Sequence, residues 1–74
     1  MDHNKRKFNS LVGKRIKEAI AISPYTFEEL ADLLHLTSPR VIYEWVNGNK
    51  MPNIFHLCLL KELLNISIDE ILAN

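Results

Sequence analysis

Apolar residues along this chain recur at intervals of three and four, with no strand-like alternation and no internal repeat, so the pattern predicts helices throughout. Phe8, Leu11, Val12, Ile16, Ala19 and Ile20 form the stripe of a first helix. Ser23-Pro24 closes it, because proline disfavours helical geometry in the residue before it. A second stripe runs through Phe27, Leu30, Ala31 and Leu34. Thr26 and Glu29 precede and enter it at the spacing of a capping box, in which each side chain satisfies a free backbone N–H of the other. A third short helix follows at Thr37 or Ser38, either able to cap, with Pro39 in the first turn, where a missing N–H costs nothing. Its inward stripe is Ile42, Trp45 and Val46, and Gly48 ends it in the left-handed conformation that glycine adopts most cheaply.

Beyond the loop Gly48-Asn-Lys-Met-Pro52, Asn53 can cap a fourth helix from Ile54 to about Leu64. Ser67 with Glu70 is a second capping box, opening a last short helix through Ile68, Ile71 and Leu72. The expected fold is therefore all-α, a compact five-helix bundle. Only the first few residues and the last one or two read as free to be disordered.

The second and third helices, joined by a tight turn, read as a helix-turn-helix. With the apolar stripe of the third turned inward, its outward groups are Ser38, Pro39, Arg40, Tyr43, Glu44 and Asn47, a compact polar face.

Length limits what else the chain can hold: 74 residues allow one domain, residues 1–74, and leave no room for a second core. No apolar run approaches the length of a bilayer span, and the basic start (Lys5, Arg6, Lys7) is not followed by the apolar stretch of a secretory signal. Residues 1–7 read as a flexible basic arm that adds nonspecific affinity, or as a solubilising terminus. Cys58 is the single cysteine, which precludes an internal disulfide and fits a reducing cytoplasm. His3, His35 and His56 are scattered, and neither a metal-ligand spacing nor a glycine-rich phosphate loop is present, so no enzyme, cofactor, metal or small-molecule ligand is expected.

Net charge is zero, which weakens any bulk-charge argument for nucleic acid. The distribution is uneven, however. Residues 1–20 carry six basic and two acidic side chains, and residues 21–74 carry three basic and seven acidic ones. A polarised molecule can still offer phosphates a locally positive surface.

The chain resembles the Cro and phage-repressor type of helix-turn-helix regulators, the XRE-like, lambda-repressor-like proteins. The resemblance spans nearly the whole length and rests on Val12-Gly-Lys-Arg-Ile16, Thr26-Phe-Glu-Glu-Leu-Ala31, Val41-Ile-Tyr-Glu-Trp-Val-Asn-Gly48, Met51-Pro52 and Asn65-Ile-Ser-Ile-Asp-Glu-Ile-Leu72. It implies a third helix that enters the major groove of double-stranded operator DNA, in a homodimer on a pseudo-palindromic site. The turn Ser-Pro-Arg carries one residue more than many phage repressors. Where many members place a buried arginine–glutamate pair, this chain has Ile20 and Val46, an expected apolar replacement. Phe27 stands where the family often has a phosphate-touching glutamine and reads as core. His35 stands at a turn where the family often has glycine, a position histidine can tolerate.

Each outward residue carries two readings. Arg40 can donate two parallel hydrogen bonds to guanine, or be a solvated surface arginine. Glu44 can accept from a cytosine amino group, repel phosphates, or orient Arg40 one turn back. Tyr43 offers a ring to a thymine methyl or braces the motif. Ser38 can meet a phosphate or simply cap. The resemblance further implies that Asn47, Asn49 and Lys50 grip the DNA backbone through side chains and main-chain N–H groups, although loops are polar for solvation alone.

The fourth helix is apolar on more than one side. Leu57, Leu60 and Leu64 face inward, while Phe55, Leu59 and Leu63 form a second stripe that either a twofold partner or the chain's own last helix must cover. The expected function is a sequence-specific DNA-binding regulator, a repressor by occupancy. The alternative is a protein-interaction module, such as an antitoxin or adaptor, that uses the same face.

Overall fold

The computed structural model describes residues 3–72. Among them are five helices: α1 His3–Ala21, α2 Phe27–Leu33, α3 Arg40–Val46, α4 Ile54–Leu64 and α5 Ile68–Leu72. The all-α bundle read from periodicity is the observed architecture. Met1, Asp2, Ala73 and Asn74, on which the expectation of loose ends partly falls, lie outside the described residues. Residues 3–7 were expected to belong to an arm and are instead the opening turns of α1, with the Lys5, Arg6 and Lys7 side chains exposed along it.

The helix boundaries follow from local hydrogen bonds that the sequence encodes. After α1, the Ser23 hydroxyl donates to the Ile20 carbonyl at 2.8 Å and accepts the Tyr25 N–H at 3.2 Å, bridging the turn at which Pro24 has no N–H to give. Both capping boxes form: Thr26 Oγ1 accepts the Glu29 N–H at 3.0 Å and Glu29 Oε1 accepts the Thr26 N–H at 2.8 Å. Ser67 and Glu70 repeat the exchange at 3.0 and 2.9 Å. Asn53 Oδ1 caps α4 by accepting the His56 N–H at 2.8 Å.

Three helices end on a left-handed residue: α2 at His35 (φ 60°), α3 at Gly48 (φ 77°) and α4 at Asn65 (φ 56°). At α2 the Leu36 N–H reaches back to the Ala31 carbonyl and the His35 N–H to the Asp32 carbonyl. That pair of bonds consumes carbonyls a helix end would leave bare. His35 thus occupies the left-handed turn position the sequence assigned it.

The core gathers one stripe from each helix. Val12, Ile16, Ala19 and Ile20 meet Leu30, Ala31, Leu34, Ile42, Trp45, Leu57, Leu60, Leu64 and Ile71; among the described residues no polar or charged residue is wholly buried with them, although Nη1 of the half-buried Arg15 is closed off from solvent without a hydrogen-bond partner. Each large aliphatic side chain so enclosed contributes about 1.5–3 kcal/mol against remaining in water. Ile20 is in this core and Val46 is packed against it, so the positions of the family's ion pair are apolar and desolvate no charge.

Gly13 explains how α1 and α3 fit together. It sits inside α1, buried, with the carbonyl end of α3 pressed on it; a methyl group there would stand 2.8 Å from the Val46 carbonyl oxygen. The core therefore grips α3 along Ile42 and Trp45 and seats its last turn on α1, leaving the opposite side of α3 to solvent.

Candidate nucleic-acid interface

α3 opens differently from its sequence reading. Neither Thr37 nor Ser38 is the N-cap; Pro39 holds that position in helical geometry, with no side-chain cap bond. The Pro39 carbonyl accepts the Ile42 and Tyr43 N–H groups at 2.9 and 3.2 Å, and Ser38 Oγ accepts the Arg40 N–H at 3.2 Å. Proline's fixed φ suits it to this place, and Ser38 braces the turn from one residue further out. The Ser38 hydroxyl hydrogen is still available to donate elsewhere.

Arg40, Tyr43, Glu44 and Asn47 follow at helical spacings of three and four, which gathers them on one face. Arg40, Tyr43 and Asn47 are exposed, while Ser38, Pro39 and Glu44 are half-buried. The Tyr43 ring packs on the ring of Phe27, with centroids 4.6 Å apart and planes tilted by 40°. Phe27, read as core, is half-buried against it, and its ring supports Tyr43, which itself stays 52% exposed. Tyr43 thus braces the motif and still presents an edge to solvent.

Glu44 pairs with Lys50, Oε1 to Nζ at 3.8 Å, and so reaches forward into the loop. The orienting role toward Arg40 weighed from the sequence is replaced by this link. An ion pair this exposed, with Lys50 72% accessible, holds its partners by about 0–1 kcal/mol and gives way easily to a phosphate.

The loop after α3 corrects a further expectation. Asn49 and Lys50 donate their N–H groups to the Glu44 carbonyl at 2.9 and 3.2 Å, and Gly48 donates to the Trp45 carbonyl at 3.0 Å. The Asn47 N–H goes to the Tyr43 carbonyl at 3.0 Å. Main-chain donors from 47 to 50 are thereby spent on capping α3, and any grip on an anion from this loop falls to the exposed side chains of Asn47, Asn49 and Lys50.

The second stripe of α4 divides. Leu59 and Leu63 are half-buried against the chain's own core, whereas Phe55 is 57% and its neighbour Ile54 68% exposed. Cys58 is exposed on the same helix. Among the described residues no group of three or more histidine, cysteine or acidic side chains can hold a metal, and no helix is long and apolar enough to cross a membrane.

Sequence reasoning missed Gly13, although a glycine inside a strongly helical stretch costs about 1 kcal/mol and so signals close packing. It also missed that the α3–α4 loop lies on Ser10: a methyl group at Gly48 would stand 2.7 Å from Ser10 Oγ and 2.9 Å from Ser10 Cα.

A short helix braced on a bundle, joined by a tight turn to the helix before it and presenting a polar outer face, defines the helix-turn-helix class of DNA-binding domains. The family model for helix-turn-helix proteins matches residues 16–71, most of the chain. The protein belongs to this family, the XRE-type helix-turn-helix regulators of transcription, which bind double-stranded DNA. Its fold is similar to the solution structure of an SOS-response transcriptional repressor, LexA, from Eubacterium rectale, with a TM-score of 0.82 and 22% identity over 92% of this chain and 71% of that one. No curated protein sequence matches the chain.

Proposed function

We propose that the protein is a sequence-specific transcriptional repressor of the cytoplasm that acts by occupying an operator, with residues 38–47 lying in the major groove. The observation that carries this reading is the division of α3: Ile42 and Trp45 are locked in the core while Arg40, Tyr43 and Asn47 are exposed on the other side, Tyr43 steadied by the Phe27 ring. A rigid rod with exposed, chemically diverse groups at helical spacing is what a base-reading element requires.

Within that rod Arg40 reads guanine through paired donors, Glu44 accepts from cytosine, and Tyr43 touches a thymine methyl or a phosphate. Ser38, Asn47, Asn49 and Lys50 contact the backbone and fix register. Pro39 sets the angle at which the rod leaves the turn. Two copies joined through Phe55, Leu59 and Leu63 of α4 place their α3 helices about one DNA turn, roughly 34 Å, apart on a pseudo-palindrome. The exposed Ile54 and Phe55 side chains support this face as the one a second copy covers.

Glu44 on the outer face and the zero net charge favour a second reading, a protein-interaction module such as an antitoxin or adaptor that presents the same surface to a protein. Selection from randomised duplexes, followed by binding across salt concentrations, separates the two. A DNA reader enriches a motif, and its log affinity falls against log salt by about 0.9 for each phosphate contact. An adaptor enriches nothing even at low salt.

A further inference from the structure

Asn47 and Gly48 are the one asparagine-glycine pair of the chain; the other internal asparagines precede lysine, serine or isoleucine. The backbone nitrogen that follows an asparagine can attack its side-chain amide carbon, and glycine, lacking a Cβ, obstructs that attack least. The fold holds this pair in a conformation that keeps the reaction from starting. The Asn47 side chain is exposed, but the Gly48 N–H is committed to the carbonyl of the buried Trp45 at 3.0 Å. Asn47 sits at φ −86° and ψ −3°, a helical geometry that does not bring the Gly48 nitrogen over the side-chain carbon as a five-membered ring requires. Gly48 itself is buried at φ 77° against Ser10, where a methyl group would stand 2.7 Å from Oγ.

We propose that Asn47-Gly48 is a self-modification site that the folded loop keeps closed and that opening of the last turn of α3 releases. Once the bond to Trp45 breaks and ψ at Asn47 swings away from its native value, the Gly48 nitrogen yields its proton to solvent and attacks Asn47 Cγ. The Cγ–Nδ2 bond breaks, and Nδ2 takes up a proton and leaves as ammonia, giving a succinimide. Water then opens the ring at one of its two carbonyls, leaving aspartate or isoaspartate. One amide nitrogen is exchanged for one water oxygen, and water is the only co-reactant.

Either product sets a carboxylate where a neutral amide stood, at the end of the face that carries Arg40, Tyr43 and Glu44. Isoaspartate also routes the main chain through Cβ, one carbon longer, at a junction pinned on one side by the capping bond and on the other by the seat of Gly48 on Ser10. The site therefore records how long the turn has stood open. Its consequence for binding, though not its chemistry, rests on the DNA-binding reading above: a negative charge beside phosphates weakens binding to every duplex alike.

The test incubates the protein at mildly alkaline pH, folded and in denaturant, and follows residue 47 by peptide mass and by isoaspartate-specific methylation. The folded chain should convert more slowly by about tenfold or more, because only its open fraction reacts. Asn47→Gln, which keeps an amide but needs a larger ring, should stay unconverted. Gly13→Ala, which crowds the last turn of α3, should speed conversion more than Ser67→Ala, which loosens α5, after each rate is corrected for global stability. Absence of conversion at residue 47 in denaturant overturns the site. Equal rates in the folded and denatured chain overturn the hold of the fold on it, and equal acceleration by the two variants overturns release by local opening. Asn47→Asp should bind an enriched and a scrambled duplex several-fold more weakly, with discrimination unchanged; binding as tight as the parent's overturns the effect on DNA. A parent that binds no duplex removes the DNA-binding reading and leaves the conversion rates to decide the site.

Discussion

Gly13 and Val46 touch main chain to main chain: the carbonyl oxygen of Val46 lies 2.8 Å from where a side chain at position 13 would begin. The contact fixes the last turn of α3 on α1, and therefore fixes the direction in which Arg40, Tyr43 and Glu44 point. A glycine is tolerated in mid-helix here because it lets two backbones approach.

Gly13→Ala sets two effects against each other. Alanine favours the helix by about 1 kcal/mol, while overpacking against rigid backbone costs about 1–3 kcal/mol, so the second should win. Denaturant unfolding should show net destabilisation, and in a domain of this size each kcal/mol lowers the melting temperature by about 4–8 °C. A variant more stable than the parent would mean that α1 and α3 are not this close.

His35 is an exposed side chain held at φ 60°, a conformation that costs an ordinary residue about 1–2 kcal/mol and glycine almost nothing. His35→Gly is therefore expected to raise stability, by up to about 1 kcal/mol once the looser unfolded chain is counted. A thermal melt that moves downward would show that the imidazole makes a stabilising contact.

The two capping boxes make parallel predictions. Thr26→Ala and Ser67→Ala each remove one acceptor from a helix start and should cost about 0.5–2 kcal/mol. The functional consequences should differ, because Thr26 anchors the helix that supports Tyr43 through Phe27, whereas Ser67 opens α5. Binding to an enriched duplex, measured where both variants are fully folded, should weaken for Thr26→Ala more than for Ser67→Ala.

Assembly is tested at Phe55. With its ring largely in solvent, Phe55→Asp should leave the monomer fold and its melting curve nearly unchanged while shifting sedimentation from dimer to monomer. A parent that sediments only as monomer at high concentration would rule out α4 as the dimer face.

The helices were legible because each announces its own ends. Thr26 with Glu29, Asn53, Ser67 with Glu70 and the Ser23-Pro24 stop act within a turn of themselves, and periodicity supplies the inward stripes. The opening of α3 was less legible, since Thr37, Ser38 and Pro39 compete for the cap and tertiary packing decides among them. Relationships between distant residues were not legible at all: Ser10 under Gly48, Gly13 under Val46 and Phe27 under Tyr43 depend on how α1, α2 and α3 cross. Local spacing offered Arg40 as the partner of Glu44, yet the folded loop brings Lys50 to it instead. The outward face of α3 was readable as a set of residues, whereas the main-chain donors of its loop are lost to capping in a way only the fold reveals.

Base reading by α3 is tested most directly by the affinity of the parent and Arg40→Ala for an enriched duplex and for its scrambled counterpart at one salt concentration. Arg40→Ala should lose about 1–3 kcal/mol on the enriched duplex and distinctly less on the scrambled one. Equal losses on both, or none on either, would contradict it.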